Sequence, residues 1–396
     1  MNHPESSLPL DGVRVADFSR LLPGPWCTQM LADMGADVIK VEQASGDPSR
    51  SDPPRQAVHS AYFASVNRNK RSVVLDLRSD EGAQAAKALI AGADIVVESF
   101  AVGVAERLGI DEGRARAIRK DVIYCSITGF GQTGPRAAAA GHDLVVQAST
   151  GVLGVGSGEM PAFQAADYAG GAIALSGILA ALIRRSKTGE GASLDISMAD
   201  SLVSMASIAL TGALARAGGK PDEPPMQVWG GNPRYALYRT RDGRQVAVSL
   251  LEKRLWKDFC QLIGRPDLIF DDERTSDRHS THGNRARLFR EALQGYFDAH
   301  DADEIDLTMQ AHDIPIVVVH DPDTALADEH LRARGMVYPE HDPHDGDVVR
   351  IGSPYQASGL VDTRRRPPPL LGEHTDEILR ELSAGRAAQS PDAGHV

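Results

Sequence analysis

Three side chains have types and settings that could do chemistry: His142, Asp167 and Glu252. An imidazole, with an ordinary pKa of about 6.5, exchanges protons near neutrality, and a carboxylate serves as base or nucleophile. Each has an ordinary reading too. His142 stands in Gly141-His142-Asp143 before the apolar run Leu144-Val145-Val146, where a histidine is commonly structural. Asp167 precedes a long small-residue stretch; it could cap that helix or react at its positive end. Glu252 precedes Lys253-Arg254, where a surface ion pair is the ordinary expectation. Arg68, Lys70 and Arg71 crowd into Val66-Asn67-Arg68-Asn69-Lys70-Arg71-Ser72. Such a run reads as a solvated loop or as a lip for a polyanionic phosphate ligand. Gly129-Phe130-Gly131-Gln132-Thr133-Gly134 spells a dinucleotide fingerprint, but Pro135 and an alanine run follow where a helix should open. Gly131 and Gly134 are therefore read as a loop that lets backbone approach something closely. His341-Asp342-Pro343-His344-Asp345 could ligate a metal, yet Pro343 and the polarity suggest an exposed turn, and no metal site is expected. Zinc-peptidase, serine-hydrolase and Walker motifs are all missing from the sequence.

The elements that must position these groups alternate. Strand patterns at 13–18, 37–42, 73–77, 94–98 and 122–127 enclose helical patterns at 26–34, 79–90 and 111–119. Apolar runs such as Ile95-Val96-Val97 suit strands buried on both faces. The fold class is α/β, a Rossmann-like doubly wound large domain plus a smaller mixed α/β domain. A buried small-residue helix is expected over 170–185, then a strand at 194–196 and a helix over 199–216. Gly218-Gly219-Lys220-Pro221 to Pro224-Pro225 reads as a linker. A hairpin turning at Asp242-Gly243 and helices over 255–263 and 284–299 follow it. For 396 residues, two domains are the prior. The boundaries drawn are 1–217 for the large domain, 226–330 for the small one and 331–396 for a segment returning to the large one, ending in a frayed tail from Gly385.

A formal net charge of -12 argues against nucleic acid or an anionic membrane as partner. The apolar stretch 170–183 is shorter than the roughly 18–20 residues of a bilayer span. Met1-Asn2-His3-Pro4-Glu5 lacks a signal-peptide pattern. Cys27, Cys125 and Cys260 imply neither a disulfide scaffold nor a zinc knuckle, and a cytoplasmic protein is expected.

Taken in order, the phrases resemble the class III CoA-transferase superfamily (CaiB/BaiF type), the group of formyl-CoA transferase, carnitine CoA-transferase and α-methylacyl-CoA racemase. They include Leu10-Asp11-Gly12-Val13, Leu31-Ala32-Asp33-Met34-Gly35-Ala36-Asp37-Val38-Ile39-Lys40-Val41-Glu42 and Asn67-Arg68-Asn69-Lys70-Arg71-Ser72. Further on stand Gly129 to Pro135, Thr188-Gly189-Glu190-Gly191 and Pro367-Pro368-Pro369-Leu370-Leu371-Gly372-Glu373-His374-Thr375. The resemblance implies an interlocked homodimer acting on an acyl-CoA thioester, with CoA as part of the substrate and no tightly bound cofactor. It makes Arg68, Lys70 and Arg71 candidate CoA contacts, with Gly131 and Gly134 beside them. Ser99-Phe100-Ala101-Val102-Gly103 departs from the family's Asn-Phe-Arg-Pro-Gly, which removes one expected CoA contact.

Two chemistries follow from the resemblance. In the transferases the aspartate matched by Asp167 attacks the thioester and carries the acyl group as a mixed anhydride. In the racemases a histidine, that aspartate and a small-domain glutamate exchange the proton beside the thioester carbonyl; His142, Asp167 and Glu252 match all three. The reading leans to racemisation at C2 of a 2-methylacyl-CoA, with CoA transfer between carboxylic acids as the alternative. An idle CoA-binding protein is the third reading.

Overall fold

The structure is a computed structural model that describes residues 8–155 and 159–389. The N-terminal pentapeptide and the last residues of the expected frayed tail lie outside the described residues.

The chain runs β1 (Arg14–Asp17), α1 (Pro23–Asp33), β2 (Asp37–Glu42), α2 (Ala61–Ser65), β3 (Arg71–Val74), α3 (Asp80–Gly92) and β4 (Ile95–Glu98). It continues through α4 (Val104–Leu108), α5 (Glu112–Ile118), β5 (Ile123–Thr128), α6 (Asp143–Ser149), α7 (Ala165–Thr188) and β6 (Ala192–Ser197). These strands form one parallel sheet in the order β3-β2-β1-β4-β5-β6. The order reverses between β1 and β4, the place where open α/β sheets leave a crevice at their carboxyl edge. Ile95, Val96 and Val97 are fully buried, as strands covered on both faces must be. Local signals set the helices: Ser79 caps α3 by accepting from the Gly82 N–H, with Asp80 and Glu81 in the first turn.

Helix α7 begins earlier than the sequence pattern suggested and includes Asp167. By length and composition alone it could cross a membrane. Its glycines, however, are pressed against neighbouring elements. A Cβ on Gly171 would lie 2.8 Å from the Pro23 carbonyl, and one on Gly170 2.8 Å from Met198 Cγ. Its far end leaves Ile183 exposed.

The expected helix over 199–216 breaks into α8 (Met198–Met205) and α9 (Thr211–Ala217), because the chain changes compact unit there. One unit holds the chain up to Thr150, Ala162–Met205 and everything from Asp328; the other holds Ala206–Ala327 with the short stretch Gly151–Pro161. The smaller unit thus starts before the glycine-proline linker rather than after it. Its sheet joins β7 (Tyr235–Arg239) and β8 (Gln245–Ser249) through a turn at Gly243 (φ +82°). Helices α10 (Lys253–Leu262), α11 (Ala286–Asp298) and α12 (Ala302–Ala311) supply a core around Trp256, Phe259, Phe289 and Phe297. Strand β9 (Ile316–Val318) completes the sheet, too short to show an alternation in sequence. After α13 (Pro322–Leu326) the chain re-enters the larger unit with α14 (Glu329–Ala333), a hairpin of β10 (Val337–Asp342) and β11 (Gly346–Ile351), and α15 (Thr375–Gln389).

The returning segment is tied down by the cationic run at 67–72. Arg68 pairs with Asp33 at 2.6 Å and donates to the Ile351 carbonyl. Asn69, at φ +65°, donates to the Asp362 carbonyl and accepts from the Arg366 N–H. Arg71 reaches Asp37, Glu377 and Glu381 at 2.7–2.8 Å. Lys70 is fully buried on Asp17, the Pro25 carbonyl and Asn67. Burial brings the Lys70 ammonium down to about 8. Burial would also raise the Asp17 carboxyl, but Lys70, Lys40, Ser19 and Thr28 outweigh it and hold it low, so the pair is ionised at neutral pH. The expected phosphate lip is therefore an internal latch.

The 341–345 turn is anchored as well. Asp342 takes Arg350 at 2.5 Å and the His344 and Asp345 N–H groups. Asp345 accepts from the Val58 and His59 N–H groups and meets His59 Nδ1 at 2.6 Å. His59, Asp342 and Asp345 come within ligand distance of one another, but each carboxylate oxygen already has a donor.

Candidate active site

A loop that crosses itself sets the start of α6. A Cβ on Gly129 would lie 2.6 Å from Gly141 Cα, so the chain from 129 returns to touch itself just before His142. Gly131 (φ +84°) donates its N–H to Thr128 Oγ1, and Gly134 (φ +87°) has open space around it. His142 is the N-cap residue of α6; its side chain is exposed and makes no capping bond.

Asp143 turns back onto α7. Its Oδ1 accepts from the N–H groups of Ala166 at 2.8 Å and Asp167 at 3.2 Å, and its Oδ2 accepts from Gln147 Nε2 at 2.6 Å. Asp167, third residue of α7, is half-buried, and its carboxylate has no hydrogen-bond partner among the described residues. Burial, and then the Asp143 charge, push its carboxyl up to about 7. Aromatic groups flank it. Tyr168 stacks on Phe163 with centroids 5.0 Å apart and meets Trp26 edge-on at 5.7 Å. The Tyr62 hydroxyl is pushed upward by burial and by the Asp167 charge. A carboxylate left unpartnered at a helix start, with a basic pKa and apolar shielding, is equipped to attack a carbonyl.

Glu252 is placed differently. It precedes α10 in the smaller unit and pairs with Arg278 at 3.0 Å, both half-exposed. The ion pair of the ordinary reading is what the structure has.

A cleft of about 630 Å³ opens at the carboxyl edge of the parallel sheet, at the β1–β4 switch point. Its wall carries Phe18, Leu75 and Phe100, and its rim Arg20, Arg78 and Arg107. Arg20 lies over the Phe100 ring at 5.0 Å. The three guanidiniums are exposed, and among the described residues none of them forms an ion pair. Acids line the cleft too, but Glu42 is held by Arg50, Asp47 by Lys40, and Asp76 takes the Arg78 backbone N–H. An apolar wall with unpaired guanidiniums at its rim suits a ligand with a flat ring and phosphates. The sequence reading missed these arginines. The available signal was position: Arg20 and Arg78 follow strands whose carboxyl ends were predictable. Arg107, on α4, supplies a guanidinium near the loop 99–103 that lacks the family's arginine.

Fold and site together define a doubly wound α/β protein with an arginine-rimmed cleft at its sheet edge and an unpartnered carboxylate at a helix start. The chain belongs to CoA-transferase family III, whose sequence profile matches residues 10–375. It is 31% identical to human succinyl-CoA:glutarate CoA-transferase over 94% of this chain and 86% of that protein. It is 34% identical to succinyl-CoA:mesaconate CoA-transferase of Haloarcula hispanica over 95% and 97% of the two chains. A crystal structure of a CAIB/BAIF family protein from Brucella suis superposes with a TM-score of 0.81 at 29% identity, over 95% of this chain and all of that one. The protein is thus an enzyme of the class III CoA-transferase family. The lean towards racemisation finds no support in these relatives, whose names describe CoA transfer.

Proposed function

We propose that this enzyme moves CoA between short dicarboxylic acids, with Asp167 as nucleophile. The single observation that carries the reading is the unpartnered, half-buried Asp167 carboxylate at the start of α7. The dicarboxylate class is taken from the two curated relatives, both named for succinyl-CoA as donor. Asp167 attacks the donor thioester, giving an acyl-aspartyl anhydride and free CoA thiolate. The donor acid leaves as its carboxylate while the acceptor carboxylate joins Asp167. Return of the thiolate to the new acyl carbonyl regenerates Asp167. One thioester and one carboxylate enter, and one of each leaves.

The nucleotide end of CoA is assigned to the cleft under Arg20, Arg78 and Arg107, in place of the buried Arg68, Lys70 and Arg71. Gly131 and Gly134, with left-handed backbone and open space at Gly134, suit a loop along the pantetheine arm. CoA is substrate throughout. The interlocked homodimer belongs to the same proposal, and the exposed Ile183, Val203 and Met205 support it as apolar surface for a second copy to cover. The enzyme is taken to work in the cytoplasm.

The test incubates succinyl-CoA with a panel of carboxylic acids and identifies the CoA esters formed. Hydroxylamine present during turnover should label Asp167, and Asp167→Ala should lose all exchange. A fully active Asp167→Ala enzyme would falsify the assignment. Deuterium entering C2 of a 2-methylacyl-CoA, with no acceptor-dependent exchange, would return His142 and Glu252 to the centre. Light scattering that finds only monomers would remove the dimer.

A further inference from the structure

We propose that Asp143 is a positioning residue for Asp167: its carboxylate occupies the free N–H groups at the start of α7 and sets a second negative charge beside the nucleophile. The inference rests on the reading of Asp167 as nucleophile and extends it to a residue outside the His142, Asp167 and Glu252 set.

The first turn of a helix leaves N–H groups unsatisfied, and they draw in whatever anion is near. At α7 the nearest anion in sequence is Asp167 itself. Left alone, those N–H groups and the helix dipole would stabilise the Asp167 carboxylate and blunt its reactivity. Asp143 pre-empts this. Coming from the preceding helix, it takes the Ala166 and Asp167 N–H groups on one oxygen. Gln147, one turn further along α6, fixes the other oxygen and also donates to the Phe163 carbonyl. Asp143 is therefore held from two sides, and the Asp167 side chain is left free.

The groups around Asp167 leave Asp143 as the anion that acts on it. Tyr62 from α2 and Tyr168 of its own helix are neutral phenols, with pKa values pushed up further by burial and by the Asp167 charge. Helix α1 meets this end of α7 through Pro23 and Trp26, and α8 and β5 meet it through Met198 and Ile127, none of which titrates. His142 adjoins Asp143 on the α6 side but is exposed. The elevation of the Asp167 carboxyl to about 7 agrees with this geometry, burial being the larger cause and Asp143 the second.

Asp143→Asn and Asp143→Ser each retain an oxygen to accept from α7 and remove the charge. Asp167 is followed directly, by carbon-13 NMR of protein labelled at its aspartate carboxyl carbons, with the Asp167 signal assigned by its loss in Asp167→Asn. Its titration midpoint should fall by about one pH unit in both variants, and the acid limb of kcat/KM should fall with it. Gln147→Leu keeps the charge and should leave the midpoint within a few tenths of the parent. A midpoint unmoved in both Asp143 variants overturns the proposal, whatever happens to the rate. A midpoint that falls while the acid limb stays put upholds the role of Asp143 and removes Asp167 as nucleophile.

Discussion

Two groups of cations in the larger unit answer the same chemical description and behave in opposite ways. Arg68, Lys70 and Arg71 lead into β3, and every one meets carboxylates: Asp33, Asp17, and the set Asp37, Glu377 and Glu381. Arg20, Arg78 and Arg107 follow the strands and meet none among the described residues. In sequence the first group looks like the ligand site, because its charges are dense and contiguous. Density of charge says little about availability. A cation is free to bind only where the nearby acids are already taken, and at the carboxyl edge of the sheet Glu42 is held by Arg50, Asp47 by Lys40 and Asp17 by Lys70.

The largest effect should come from breaking the latch. Lys70→Ala strands the buried Asp17 charge, a loss of about 3–5 kcal/mol. Thermal unfolding should then show Tm lower by on the order of 10 °C, or no folded protein at all. An unchanged Tm would mean that the latch is not structural.

Removing the rim should do the reverse. Arg78→Ala combined with Arg107→Ala should raise KM for the acyl-CoA by about tenfold, from the loss of two charge-assisted contacts. Tm and KM for the acceptor acid should stay put. If acyl-CoA KM does not move, the nucleotide end of CoA binds elsewhere.

Salt sharpens the contrast more gently. The rim charges are exposed and the latch is buried, so KM for the acyl-CoA should climb about threefold between 0.05 and 0.3 M salt, with little change in Tm.

A smaller effect separates Asp17 from Asp167, the paired carboxylate from the unpaired one. Asp167 has its pKa raised in the folded state, so its contribution to stability is complete below the unfolded value near 3.8 and is lost as pH rises through about 7. Asp167→Asn lacks that loss. Its Tm should match the parent near pH 4 and exceed it by about 2–4 °C at pH 8. Equal Tm values at both pH values would mean that Asp167 titrates normally.

Much of this was legible beforehand. Apolar runs such as Ile95-Val96-Val97 and the alternation of strand and helix patterns declare a buried parallel sheet, since backbone periodicity is a local property. The motif phrases led to the family, and Asp167 stood out as an acid ahead of a small-residue helix. Where the reading went astray, the cause was distance along the chain. Motif logic set Glu252 beside His142, and it did not foresee the ion pair that Glu252 makes with Arg278. Helix α7 begins before its small-residue stretch because a cap arrives from Asp143, more than 20 residues upstream.

The amino-acid order alone determined the class of fold and the family and made Asp167 a candidate, because these depend on patterns within a few residues or within one phrase. Only the folded chain decided which charges remain available. Arg71 is neutralised by Glu377 and Glu381, some 300 positions away, whereas among the described residues no carboxylate pairs with the Arg78 guanidinium, and Asp76 beside it takes the Arg78 backbone N–H instead. Electrostatic pairing works through space, and local sequence holds no record of what the rest of the chain will bring.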